Sequence, residues 1–320
     1  MSHYDIFNGD ADGICALLQL RLAEPRETKL ITGVKRDIAL MKQVDVKAGD
    51  HLTVLDVSMD KNKEALIAAL DSGAEVFYCD HHFAGDIPDH PKLQALINTE
   101  SEVCTALLIN GHLKGQFAEW AVVGAFGDNL GTSARAAAKP IGIAESQLEA
   151  YENLGIYINY NGYGASQDDL HFKPAELFKA MLPYASPADF MSDAKDTFGK
   201  LEQGYHEDMA SARNLKAHWA KDHAAAFILP EAAWARRVSG VYSNELANQS
   251  PARAHAVLTE KADGNYLISV RAPLERRTGA DELCRQFPTG GGRAAAAGVN
   301  DLPADQLDAF IDALDRQFAV

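Results

Sequence analysis

The sequence predicts an α/β fold: a mostly parallel, doubly wound sheet, a helical linker and a smaller α/β C-terminal domain. Three observations carry this expectation. Short apolar runs alternate with stretches of helical periodicity through the first half, as in βαβ units. Acidic residues or histidines follow directly on several of those runs, and ligands of open parallel sheets gather at the carboxyl ends of strands. At 320 residues the chain is longer than one hydrophobic core usually requires, so two domains are expected.

The elements follow in order. Tyr4–Phe7 is a short strand that runs into Asn8-Gly9-Asp10-Ala11-Asp12-Gly13, and Ile14–Leu22 then shows helical spacing. Lys29–Val34 reads as a second strand and the β-branched, apolar His51–Val57 as a third. A helix over Lys61–Asp71 leads to a fourth strand, Ala74–Cys79, followed at once by Asp80-His81-His82. Leu93–Asn98 is a fifth strand, and Val103–Leu113 and Glu119–Phe126 are helical. Proline-punctuated helices occupy the middle of the chain. In the last part, strands Ala254–Thr259 and Tyr266–Val270 flank the turn Asp263-Gly264-Asn265. A helix over Gly279–Phe287 precedes the glycine loop GGGRAAAAG, Gly290 to Gly298. The final helix, Ala304–Phe318, carries an apolar stripe of Leu307, Phe310, Ile311 and Leu314. The expected division is a catalytic domain over residues 1–185, a helical linker over 186–223 and a glycine-rich substrate-binding domain over 224–320.

Composition narrows the function. Hydrophobic residues make up 47% and charged residues 23%, which is ordinary globular material. The formal net charge of −15 disfavours long polyanions, whose binding depends on Lys and Arg neutralising phosphates. It favours a small phosphorylated substrate even after discounting carboxylates that hold metal. Cys15, Cys79, Cys104 and Cys284 show no C-x-x-C spacing, so they are expected in cores. No apolar run approaches the ~18 residues that span a bilayer, and no signal-peptide pattern opens the chain, so a cytoplasmic protein without membrane partners is expected.

The chemistry lies in the polar residues after the strands. Hard divalent cations take oxygen ligands, and manganese often adds an imidazole. A two-metal hydrolase places its ions ~4 Å apart across a bridging carboxylate. Asp10 and Asp12 leave one strand end, Asp56 follows another, His81 follows a third, and Asp128 follows a helix in FGDN. One Asp after a strand is usually a cap or turn residue; this many in succession are hard to explain as capping. Lys35 and Arg36 either reach a substrate phosphate or belong to a solvated loop. Tyr160, Tyr163 and His171 either stack on a base or pack helices, and packing is the commoner role. His206, His218 and His223 are expected to be exposed.

These motifs resemble the DHH phosphoesterases, a family named for the tripeptide found here as Asp80-His81-His82. NGDADG, LDVS, DHH and GDN match four family motifs in order, and GGGRAAAAG resembles the glycine-rich signature of the DHH-associated C-terminal domain. The resemblance implies two Mn2+ ions, or Mg2+ in their place. One would be held by Asp10, Asp56 and a group near Asn8, the other by Asp12, Asp56, His81 and Asp128. Asp80 and His82 would support the ligands or touch the phosphate, giving Asp56, Asp80, His81 and His82 as catalytic residues. Arg271, Gly290, Gly291, Gly292 and Arg293 would bind substrate. The chain departs from the family at three places: Ile6 stands where many members carry His, Asn8 where RecJ-type exonucleases carry Asp, and Arg293 where the signature usually has His. The function expected is a phosphodiesterase that releases nucleoside 5′-monophosphates from short oligonucleotides or dinucleotides. A RecJ-like single-strand exonuclease, a cyclic-dinucleotide hydrolase and a nucleotide-binding regulator with a decayed site remain alternatives, and a homodimer is an open possibility beside the monomer.

Overall fold

Successive residues of a strand face opposite sides of a sheet, and in the computed structural model, which describes residues 1–319, apolar strand residues build two cores on one sheet. Two compact units divide the chain, Met1–Tyr205 and His206–Val320. In the first, strands β1 (His3–Phe7), β2 (Lys29–Ile31), β3 (His51–Leu55), β4 (Glu75–Asp80) and β5 (Leu93–Ile97) form a wholly parallel sheet in the order β2-β1-β3-β4-β5. Ile6, Leu52, Val54, Val76 and Tyr78 pack with Leu66 and Leu70 of α2 (Met59–Asp71). Phe7, Leu55 and Cys79 join the other core, against the buried helix α1 (Ala11–Ala23). Helices α3 (Thr105–His112), α4 (Ala118–Gly127), α5 (Gly131–Ala138), α6 (Glu145–Asn161), α7 (Pro174–Met181) and α8 (Pro187–Asp193) add residues to that same core. Helices on both faces make the sheet doubly wound, as the sequence predicts.

The strand order places the site. The chain steps from β1 to β2 on one side and returns to β3 on the other. Such a reversal opens a crevice beyond the carboxyl ends of the two diverging strands. Asp10 and Asp12 follow β1 and Asp56 follows β3, so the acidic residues stand at this crevice.

Close backbone approach explains the small residues of the first motif. A Cβ on Gly13 would lie 2.3 Å from the carbonyl oxygen of Asn8, a distance no side chain tolerates. Beneath the sheet, Arg21 of α1 forms a fork on the fully buried Asp5, with Nε and Nη2 donating at 2.8 and 2.6 Å. Thr28 Oγ1 donates to the same carboxylate at 2.7 Å. The bidentate fit satisfies a charge that would be costly to bury alone.

A nineteen-residue helix, α9 (Lys195–Arg213), runs through the boundary between the units. The second unit then holds β6 (Trp219–Ala220), β7 (Ala224–Leu229), α10 (Ala233–Gln249), β8 (Ala254–Glu260), β9 (Tyr266–Arg271), α11 (Ala280–Cys284), β10 (Gly290–Arg293), β11 (Ala296–Leu302) and α12 (Leu307–Phe318). Its sheet runs β10-β11-β9-β8-β7-β6 and is mixed, with β7 and β8 parallel and the other pairs antiparallel. The stripe on α12 buries Phe310, Ile311 and Leu314 against it.

Two expectations need correction here. The glycine stretch is not a loop: Gly290–Arg293 is an edge strand paired with β11. Glycine is required by packing, because a Cβ on Gly290 would meet the Cys284 carbonyl oxygen at 1.8 Å and one on Gly292 would meet the Ala297 Cα at 2.5 Å. His223 is not exposed either; it is half-buried, with Nε2 2.9 Å from Asp315 Oδ1. The four cysteines are buried thiols, and among the described residues no helix is long and apolar enough to cross a membrane.

His255 of β8 gives this unit a pH dependence. Burial, followed by the positive charge of Arg253, lowers its imidazole from 6.5 to about 4, and Nδ1 has no hydrogen-bond partner. Unfolded, the ring protonates near its ordinary value, so the unfolded chain binds more protons between the two pKa values. Stability is therefore complete above about pH 6.5 and falls as pH drops towards 4, by about 3 kcal/mol in all. Replacing His255 with Leu should flatten this part of a urea-stability profile; an unchanged slope would show that other groups cause the acid sensitivity.

Candidate metal centre

Each acidic residue at the crevice is held by its neighbours. Asp10 caps α1, its Oδ1 accepting from the Gly13 N–H at 3.1 Å. Asp12, within the first turn of α1, directs both oxygens to the start of α3, accepting from the N–H groups of Thr105 at 2.8 Å and Ala106 at 2.7 Å. Those amides have no partner inside the helix, and they fix the orientation of the carboxylate. Asp56 adopts φ +57°, a conformation that Asp and Asn tolerate better than most residues. Its N–H donates to Cys79 O at 3.1 Å and its Oδ1 accepts from Thr105 Oγ1 at 3.3 Å.

His81 is the candidate ligand whose tautomer the surroundings define. Its Nδ1 lies 2.9 Å from the Val103 carbonyl oxygen, which can only accept, so Nδ1 carries the proton. In the neutral ring Nε2 then carries the lone pair that a metal-binding imidazole uses. That nitrogen stands 3.4 Å from Asp56 Oδ1, 3.7 Å from Asp128 Oδ2 and 3.8 Å from Asp12 Oδ2. His82 turns Nδ1 to Asp80 Oδ1 at 2.8 Å and lies 3.8 Å from Asp56 Oδ1. The hydrogen bond to Asp80 raises the pKa of His82 against the opposing effect of burial.

The carboxylates here carry more negative charge than the protein compensates. Burial, then the charges of Asp12 and Asp10, push Asp128 up to about 7 and raise Asp56 well above the carboxylate range. A cation among these oxygens relieves that repulsion. The donor set, three carboxylates and one imidazole nitrogen, fits a hard or borderline divalent ion. Two groupings meet the geometry for metal binding among the described residues: Asp12, His81 and Asp128, and Asp56, His81 and His82.

Asp10 and Asn8 differ from this group. Lys35 Nζ donates to Asp10 Oδ2 at 2.6 Å. Burial opposes ionised Asp10, but the Lys35 ammonium more than reverses that effect and lowers its pKa. Asn8 donates from Nδ2 to the Lys35 carbonyl at 3.2 Å, while its Oδ1 is buried without a partner. Lys35 is readable from sequence only as a phosphate contact or loop residue. Asn159, which accepts from Lys35 Nζ at 2.8 Å, carries no sequence signal beyond its place in the polar run NYNGYG. Thr105 likewise follows no motif. Tyr160 is buried and packs edge-on to Tyr205 and Tyr163, the helix-packing role.

The substrate candidates lie in the second unit. Arg293 pairs in register with Ala296, and Ala296 with Arg271. Partners directly opposite across a ladder share a face, so both arginines project from one side of the sheet, two strand spacings or about 10 Å apart. Arg271 is oriented by donating from Nε to Asn244 Oδ1 at 2.8 Å and from Nη1 to Ser269 Oγ at 2.9 Å. Arg293 is exposed.

Comparisons with known proteins agree with this architecture. Residues 222–320 match the DHHA1 domain model. Exonuclease RecJ bound to manganese superposes with a TM-score of 0.66 at 19% identity, covering 98% of this chain and 89% of that one. The pGpG-specific phosphodiesterase PggH from Vibrio gives 0.62 at 16% identity, covering 99% and 98%. RecJ from Thermus thermophilus in complex with Mn2+ gives 0.64 at 18% identity; the match covers 98% of this chain and 51% of that one, so this chain spans about half of it. No curated protein matches the chain. The chain shares the fold of RecJ and PggH, and its residues 222–320 match the DHHA1 domain.

Proposed function

We propose that the chain is a divalent-cation-dependent phosphodiesterase that cleaves dinucleotides or short oligonucleotides to nucleoside 5′-monophosphates. The observation that carries this reading is the convergence of Asp12, Asp56 and Asp128 on Nε2 of His81. These four residues would hold the ion. When bound, a divalent ion supplies an activated water and charge stabilisation at a phosphoryl group. The protein's own groups do the rest. The Val103 carbonyl orients the His81 ring, the α3 amides hold the Asp12 carboxylate in place, and Asp80 positions His82 next to Asp56. The Asp80 hydrogen bond raises the pKa of His82, which favours the form that can donate to a phosphate oxygen.

Three features support a short substrate. Arg271 and Arg293 stand about 10 Å apart on one sheet face, a spacing that suits two points on a dinucleotide and little more. The net charge of −15 repels long strands. PggH, which this chain matches over nearly its full length, is described as pGpG-specific. RecJ-like single-strand exonuclease activity is the second reading, favoured by the similarity to RecJ.

A product time course decides between them. Strands of two to thirty nucleotides, RNA and DNA, are incubated with Mn2+ or Mg2+ and the products resolved. The proposal expects 5′-mononucleotides from the shortest substrates first; preference for the longest favours the exonuclease. In the same assay Arg293→Ala should weaken dinucleotide binding about 10- to 100-fold, the loss of one charge-assisted contact. A small chromogenic phosphodiester that cannot reach Arg293 should be cleaved at an unchanged rate. Equal slowing of both would refute a substrate-binding role for this residue.

A further inference from the structure

We propose that Lys35 is a built-in cation for the Asp10 half of the site, so that the chain loads one divalent ion, on Asp12, Asp56, His81 and Asp128. This rests on the functional reading above and deepens it. The second ion that the fold family implies would need Asp10 and position 8, and the residues present do not fit it: Asp10 is paired with the Lys35 ammonium, and Asn8 offers no charged oxygen and gives its amide N–H to the Lys35 carbonyl.

The lysine is fixed at both its root and its tip. Its backbone N–H donates to the Gly162 carbonyl at 2.8 Å, and its carbonyl accepts from Asn8 Nδ2 at 3.2 Å. Its ammonium donates to Asp10 Oδ2 at 2.6 Å and to Asn159 Oδ1 at 2.8 Å, and stands 4.0 Å from Asp128 Oδ1. The side chain is only 30% exposed. A surface lysine usually keeps its head in water; here contributions from three separate parts of the chain hold it against the carboxylates.

Asn8 and Lys35 act as a pair. The Asn8 amide donates to the Lys35 carbonyl, which an ionised carboxylate at that position could not do. An aspartate there has no N–H and would set its negative charge against the carbonyl oxygen. The residue that resembles a weakened ligand is therefore the one that seats the lysine. An ammonium has three N–H donors. Two go to Asp10 and Asn159, and the third remains on the Asp128 side for a phosphate oxygen. Lys35 thus supplies positive charge where a second ion would, without depending on metal concentration.

The test is the number of Mn2+ ions bound per chain, measured by titration calorimetry and by elemental analysis after desalting, with no reliance on turnover. Wild-type protein should bind one ion. Lys35→Met frees Asp10 and should expose a second binding event, while Lys35→Arg, which keeps the charge, should stay at one. Asp10→Asn should also leave the count at one, since Asp10 is not a ligand. Circular dichroism confirms that each variant is folded, and the wild-type count decides even where a variant is not. Two ions on wild-type protein would overturn the proposal and leave the phosphodiesterase reading standing. No bound ion would overturn both.

Discussion

Replacing Asp56 with Asn should abolish hydrolysis while leaving the metal-free fold as stable as wild type or more so. Asp56 follows β3 at the switch point, 3.4 Å from His81 Nε2, and one of the two groupings that could hold an ion includes it. The amide keeps the shape and tolerates the φ of +57°, where Ala would add strain. It removes the negative charge, and activity should fall on the order of 1,000-fold, comparable to or beyond the loss of a preorganised transition-state contact. Stability should move the other way. Burial, followed by Asp12 and Asp10, raises the Asp56 pKa well above its ordinary value of 3.8. Folding therefore disfavours the ionised form, and that cost grows as pH rises above the unfolded pKa. Asn does not carry it, so the metal-free variant should unfold at the same or a higher urea concentration at pH 7. Near wild-type turnover with Mn2+ would mean that catalysis lies elsewhere; a sharply destabilised variant would mean that Asp56 supports the fold instead.

The second large effect concerns the ion pair beneath the sheet. Arg21→Met leaves the fully buried Asp5 with Thr28 as its remaining side-chain donor. Breaking a buried pair by removing one partner costs about 3–5 kcal/mol, because the other charge stays uncompensated. Replacing both partners, Asp5→Leu with Arg21→Met, should recover most of that loss, since apolar groups need no partner. Urea unfolding followed by signals from the first unit measures both variants, and the interaction energy follows from the double-mutant cycle. A single variant within about 1 kcal/mol of wild type, the range typical of surface pairs, would show that water reaches Asp5.

The site is legible where chemistry follows directly on local pattern. HLTVL is β-branched and apolar, so β3 is plain, and the Asp after it stands at a strand end by necessity. The same holds for Asp10 after β1 and for His81 after β4. The second strand, expected to reach Val34, stops sooner: pairing with β1 ends at Ile31, and Thr32-Gly33 break the apolar run there. What is not legible depends on distance in sequence. Lys35 meets Asp10 across 25 residues and Asn159 across 124, and no periodicity announces either contact. The α3 amides that grip Asp12 lie more than 90 residues away. The glycines mislead for a different reason: Gly has low strand propensity, yet Gly290 and Gly292 sit in β10 because packing there leaves no room for a Cβ.

Function in this chain turns on whether Asp12, Asp56, His81 and Asp128 hold a catalytic divalent ion. An anomalous difference map settles it most simply, from crystals of the chain soaked in Mn2+ and data collected at the manganese absorption edge. A strong peak is expected in contact with His81 Nε2 and with oxygens of those three carboxylates, absent from Asp56→Asn crystals prepared the same way. A map with no peak there, or with its only strong peak away from these four side chains, would contradict the assignment.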